Sequence, residues 1–270
     1  MTETGAAGAS ESPRPRDSAT VMLLRSVAEP AGSGFEVYLL RRASSMAFAP
    51  GAHAFPGGGV DRRDVELAPG WTGPSPQVWA QRLGVDTATA RALVCAAVRE
   101  TFEESGVLLA GPSTRELVAD TRDEAWERDR RALLDRSLSL AELLARRGLV
   151  LRSDLLCPWS RWITPRGQPR RFDTRFFAAA LPAGQQARDV GGEADRAAWY
   201  APAAALSAWK RGELPMLPPT MISLRQLAEY TAVTEVLAAH RDLTPIEPEL
   251  DRVDGRERVL LPDGTTHPLR

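Results

Sequence analysis

The nine residues Arg99-Glu100-Thr101-Phe102-Glu103-Glu104-Ser105-Gly106-Val107 constrain this chain more than any other stretch. Coiled as a helix, they put Glu100, Glu103 and Glu104 at i, i+3 and i+4, on one face. Val94, Cys95, Val98 and Phe102 fall roughly opposite. One side of the helix is made for a core, and the other gathers three carboxylates. That gathering is unfavourable by itself: like charges at this spacing cost roughly a few tenths of a kcal/mol, and acids in a last turn face the negative end of the helix dipole. Gly106 predicts the C-cap that marks this end. Arg99, four residues before Glu103, cannot balance three acids. The pattern is either a solvated acidic helix end or a seat for a divalent cation, and the cation is the economical reading.

A second segment favours the cation. Phe55-Pro56-Gly57-Gly58-Gly59-Val60-Asp61 is a glycine-rich turn whose missing Cβ atoms let backbone approach a ligand or the helix. Together the two segments resemble the Nudix box, in which a glycine and a spaced acid precede Arg-Glu-x-x-Glu-Glu-x-Gly. Gly58 stands as the box glycine, Asp64 as the first acid, and Arg99, Glu100, Glu103, Glu104 and Gly106 match the second half without substitution. Gly58 and Arg99 are 41 positions apart, so an insertion must loop out between them. Closure entropy grows only as the logarithm of loop length, and the box survives it.

Composition excludes several classes. The chain has 270 residues and a net charge of −1, enough for one substantial domain with decorations and no electrostatic case for nucleic acid or an acidic membrane. Two cysteines, Cys95 and Cys157, are too few for a disulfide scaffold and read as buried thiols of a reducing cytosol. Three scattered histidines lack zinc-ligand spacing. No apolar run is long enough to span a membrane, so a cytoplasmic location is expected.

Along the chain, residues 1–18 read as a disordered tail. Runs at 20–25 and 35–41 predict two strands, and Arg41 and Arg42, which end the second, suit either a plain surface or contacts to phosphate. Residues 65–88 form the insertion, with a short helix at 76–83; Thr87 or Thr89 then caps the acidic helix. A charged helical insert spans 113–148, and Ser139-Leu140-Ala141-Glu142 in it is a capping box. Strands are expected around 107–110, 159–165 and 170–179, and residues 191–200 read as an acidic loop entering one more strand. Arg166, Arg170, Arg171 and Arg175 suit either a protected sheet edge or bidentate phosphate contacts. A short helix is expected at 202–211, a longer one at 221–240, and a terminal hairpin at 260–266.

Beyond the box, Leu39-Leu40-Arg41-Arg42, Trp162-Ile163-Thr164-Pro165, Arg171-Phe172-Asp173-Thr174-Arg175-Phe176-Phe177 and Leu217-Pro218-Pro219-Thr220 resemble the larger coenzyme A diphosphatases of animal peroxisomes and their bacterial relatives. The resemblance implies an α/β fold, a Nudix-type α/β/α sandwich with a mixed β-sheet over 19–240, helical insertions, and a C-terminal extension at 241–270. It implies Mg²⁺ or Mn²⁺ on Glu100, Glu103 and Glu104, a proton acceptor among Glu103, Glu104 and Glu193, Arg99 as orienter of the glutamates, and substrate contacts from Arg41, Arg42, Gly57, Gly58, Arg171 and Arg175. The implied reaction is diphosphate hydrolysis, with coenzyme A or acyl-coenzyme A as first substrate. Alternatives are ADP-ribose, NADH or a dinucleoside polyphosphate, or a nucleotide sensor that cuts nothing. The expected partner is a small molecule, with a homodimer possible.

Overall fold

The computed structural model describes residues 12–27, 34–44, 49–189, 194–253 and 256–268. Its centre is β1 (Arg16–Ser26), whose side chains alternate between two apolar cores: Ala19, Val21 and Leu23 face one, Met22 and Leu24 the other. β2 (Phe35–Arg42) divides likewise, with Tyr38 and Leu40 on the first face and Val37 and Leu39 on the second. Strands buried on both faces require helices above and below.

Two short strands, β3 (His53–Ala54) and β4 (Gly57–Gly59), pair with β2 and β1. After them come α1 (Arg62–Glu66), β5 (Trp71–Thr72), α2 (Pro76–Leu83), the acidic helix α3 (Thr87–Ser105) and β6 (Ala110–Gly111). Two helices, α4 (Glu124–Leu134) and α5 (Leu140–Arg146), lead to β7 (Val150–Arg152), β8 (Cys157–Ile163), β9 (Phe172–Ala180) and β10 (Ala194–Tyr200). The chain closes with α6 (Pro202–Lys210), α7 (Pro218–Leu227), α8 (Val233–Ala238), β11 (Pro245–Ile246) and a meander of β12 (Glu249–Val253), β13 (Arg256–Leu260) and β14 (Thr266–Pro268).

The main sheet runs β10-β2-β1-β9-β8-β11. It is mixed: β1 lies parallel to β9 and antiparallel to β2 and β4. Helices α2 to α5 cover the first core and α6 to α8 the second. The expected sandwich is therefore present. The terminal hairpin is β13 and β14, and Val259 and Leu261 carry it onto the second core.

Several details differ from expectation. Residues 16–18, expected in the tail, belong to the main sheet, where Arg16 to Ser18 pair with Phe172 to Thr174. The insertion does not loop out: Trp79 of α2 is fully buried, with its ring 5.9 Å from that of Phe177. Asp86, not Thr87 or Thr89, caps α3, accepting the Thr89 N–H at 2.9 Å and its hydroxyl at 2.6 Å. The helix expected at 221–240 breaks in two. The Glu235 carboxylate takes the N–H groups of Thr231 (2.9 Å) and Ala232 (3.2 Å), and the Tyr230 ring seats 5.9 Å from Trp159.

The capping box at Ser139 forms as read. The Glu142 N–H reaches Ser139 Oγ at 3.1 Å, and Glu142 Oε2 accepts the Ser139 N–H at 2.8 Å. Ser139→Ala removes one acceptor and is expected to lower stability by about 1 kcal/mol in a urea titration.

Candidate active site

Backbone at the glycine turn comes closer to its neighbours than any side chain would allow. A Cβ on Gly57 would lie 2.6 Å from the Ala19 carbonyl oxygen and 2.7 Å from Thr20 Cα, and a Cβ on Gly58 would lie 2.4 Å from Glu100 Oε1. Only glycine permits α3 to press its acids against β4. The contact is then fastened by the Gly57 N–H, which donates to Glu104 Oε2 at 2.7 Å. A hydrogen bond to a charged acceptor is roughly twice as strong as a neutral one.

Arg99 knots the acids together. It is 3% exposed. Its Nε and Nη2 donate to Asp64 at 3.0 and 2.9 Å, Nη2 also to the Gly59 carbonyl at 2.9 Å, and Nη1 to Glu100 Oε1 at 2.8 Å and Glu103 Oε2 at 3.1 Å. Asp64, the spaced acid of the box, is equally buried and in turn accepts the Asp61 N–H at 2.9 Å, completing the cap of α1. The insertion thus leaves the box pairing intact across 35 residues.

Burial governs the electrostatics here. It pushes Glu100 up to about 7, with Arg99 pulling the other way, and raises Glu103 against the same opposing cation. Burial opposes the charge on Arg99, but Glu100 and Asp64 outweigh it and hold the guanidinium charged. Glu103 Oε1 is buried without a hydrogen-bond partner. A buried acceptor without a donor costs free energy and calls for an explanation, an ion among them.

These groups line a cleft of about 340 Å³. Arg99, Glu100, Glu103, Glu104, Gly57 and Gly58 all reach it, as expected for a joint site. Arg41 and Arg42 do not line it; they end β2 in its ladder with β3 and β10. Arg171 and Arg175 correct the expectation of substrate contacts. Arg171 is clasped by Thr164 O, Pro13 O and Glu247, and Arg175 is 1% exposed and paired with Asp173. Glu193 lies outside the described residues. Sequence reasoning missed Arg16, Asp17, Arg63, Leu134, Arg136 and Phe172 as cleft residues. Only tertiary placement brings the end of α4 and the start of β1 to the same opening.

Among the described residues no three His, Cys, Asp or Glu side chains are drawn together as a ready metal cage. Arg99 Nη1 lies between Glu100 and Glu103, and the Gly57 N–H holds Glu104. The donor set nonetheless fits a hard cation: all its ligating atoms are carboxylate oxygens, one of them is buried without a partner, and the absent Cβ of Gly58 lets the Glu100 carboxylate press against the turn.

Residues 76–227, more than half of the chain, match the family model described as the NUDT19 Nudix domain. The chain is 28% identical over 285 residues to the acyl-coenzyme A diphosphatase NUDT19 of Homo sapiens, covering 89% of this chain and 72% of that protein. The Xenopus laevis protein of the same name is 27% identical over 237 residues, covering 76% of this chain and 62% of the relative. The chain thus spans about three-fifths of the length of the frog protein. A solved NUDIX hydrolase from Alicyclobacillus acidocaldarius is 28% identical with a TM-score of 0.65, covering 84% of this chain and 97% of the other. Among the described residues no helix is long and apolar enough to cross a membrane. With sequence, fold and box geometry in agreement, the chain belongs to the Nudix family, on the branch of the NUDT19 Nudix domain.

Proposed function

We propose that this chain is a metal-dependent diphosphatase that hydrolyses coenzyme A or acyl-coenzyme A to 3′,5′-ADP and phosphopantetheine or its acyl form. The observation that carries the reading is the partnerless Glu103 Oε1, buried among acids at the wall of a cleft of about 340 Å³ that the glycine turn also lines. The names of the frog and human relatives support the choice of substrate. Glu100, Glu103 and Glu104 would hold Mg²⁺ or Mn²⁺. Such an ion would offset the charge developing on phosphorus and lower the pKa of an attacking water.

The chain's own residues do the rest. Arg99 fixes the carboxylates of Glu100 and Glu103, so their orientation is set before substrate arrives. Gly57 and Gly58 let β4 pack directly on β1 and on the Glu100 carboxylate, which sets the acids at the wall of the cleft. Water attacks one phosphorus, the phosphoanhydride P–O bond breaks, and Glu103 or Glu104 takes the proton from the attacking water. Glu193 is the remaining candidate acceptor. A cytosolic setting suits the two free thiols, Cys95 and Cys157.

The test is a panel of coenzyme A, an acyl-coenzyme A, ADP-ribose, NADH and a dinucleoside polyphosphate, each with Mg²⁺, with Mn²⁺ and with chelator. The expected result is 3′,5′-ADP from the coenzyme A substrates, only with metal. Rapid turnover of another member with coenzyme A untouched rejects the substrate, and no turnover of any member rejects the hydrolase in favour of a sensor.

A further inference from the structure

The cleft contains four arginines, and two of them are already committed. Arg99 is saturated by Asp64, Glu100, Glu103 and the Gly59 carbonyl. Arg63 donates to both oxygens of Asp61 and to the carbonyls of Leu133 and Leu138. The other two differ. Arg16 opens β1, is exposed, and makes no ion pair among the described residues. Arg136 is 76% exposed and only 3.6 Å from Asp61 Oδ2, an oxygen that Arg63 already holds. Such an exposed, shared pair contributes little and is readily given up.

Backbone geometry at Arg136 adds an independent observation. Arg136 has φ of +64°, one of two non-glycine residues with positive φ among the described ones. It follows the C-cap Asp135 of α4, the position where helices most often carry glycine. Its N–H reaches the Leu133 carbonyl at 3.1 Å, a bond that glycine makes equally well. The chain therefore keeps a long cationic side chain, at a conformational cost, on the turn that brings the 113–148 insert to the cleft.

The two cations are also shallower than the acids. Arg99 and Glu103 side chains are 4% and 7% exposed, whereas Arg16 and Arg136 stand at the surface. We infer that Arg16 and Arg136 form a cationic rim that reads a phosphate monoester carried by the substrate outside its diphosphate. This rests on the proposed coenzyme A reading, and the class it names is a nucleoside diphosphate derivative with a ribose 3′-phosphate. ADP-ribose and NADH lack that group. Guanidinium is suited to it because its planar fork makes paired, charge-assisted bonds to phosphate oxygens.

Equilibrium binding of 3′,5′-ADP and 5′-AMP tests the rim without any turnover, and kcat/KM for coenzyme A against 3′-dephospho-coenzyme A tests it in the reaction. The variants are Arg136→Gly, Arg136→Asn and Arg16→Gln in the full chain. Wild type is expected to prefer 3′,5′-ADP, and each variant to lose about tenfold of that preference and of the kcat/KM ratio. Arg136→Gly is expected to melt no lower than wild type, which a capping role for the arginine would not produce. Equal losses for both members of a pair would place the arginines on the diphosphate and overturn the inference. So would an unchanged ratio, or a wild type indifferent to the 3′-phosphate. A wild type that prefers 3′,5′-ADP but cleaves no coenzyme A upholds the rim and sinks the proposed reaction.

Discussion

Arg99→Met is expected to lower the free energy of unfolding by about 3–5 kcal/mol, the usual cost of removing one partner from a buried ion pair. The size follows from what stays behind. Asp64 and Glu103 are 3% and 6% exposed, Glu100 is nearly covered, and Arg99 is the cation all three share. Methionine fills the volume but leaves three carboxylates facing one another. Glu100, already pushed up to about 7 by burial, would take up a proton more readily still. The sign follows: an acid whose pKa is raised on folding opposes folding above its unfolded pKa, most where it is charged in both states. The deficit of the variant is therefore expected to grow as pH rises above about 7 and to shrink as pH falls through it. Urea titrations across that range measure it. Adding Asp64→Leu should recover part of the loss, since a buried pair replaced by apolar side chains is often neutral. A single-variant loss under about 1 kcal/mol would mean that Arg99 is a solvated bystander.

How much of this was legible in the sequence depends on whether the cause was local. Glu100, Glu103 and Glu104 lie within one and a half turns, so helical period alone puts them together. The Ser139–Glu142 box spans four residues and forms as written. The glycines at 57 and 58 signalled a close approach, although nothing local says that the approaching groups are Thr20 and Glu100. What stayed hidden is non-local or nearly degenerate. Asp86, Thr87 and Thr89 are all competent caps, and the aspartate takes the place because its carboxylate accepts both the N–H and the hydroxyl of Thr89. Ala228 to Ala232 carry no proline or glycine, so the break between α7 and α8 appears only once Tyr230 finds Trp159. The short helix carrying Trp79 looked like part of a looped-out insertion because its partner, Phe177, is almost a hundred residues away in the chain. Arg171 and Arg175 have the chemistry of phosphate ligands, but Glu247 and Asp173 claim them first.

Glu103→Gln and Glu104→Gln are each expected to lower kcat for diphosphate hydrolysis by roughly a thousandfold, within the range for loss of a general base. Their effects on the fold should separate them from structural lesions. Glutamine at 104 keeps a carbonyl oxygen for the Gly57 N–H, so the contact between α3 and β4 persists while the charge is lost. At 103 the substitution neutralises a buried carboxylate whose pKa burial raises and whose Oε1 has no partner, so melting temperature should hold or rise. A site held in unfavourable electrostatics gives up activity and gains stability when its charge is removed, whereas a framework residue loses both. Melting curves recorded with and without Mn²⁺ extend the comparison: the metal-induced rise expected of wild type should weaken in both variants, because an ion stabilises only the state that binds it. Hydrolysis within about threefold of wild type in both variants would remove these two glutamates from the chemistry. Full activity in Glu103→Gln alone would move the proton-accepting role to Glu104.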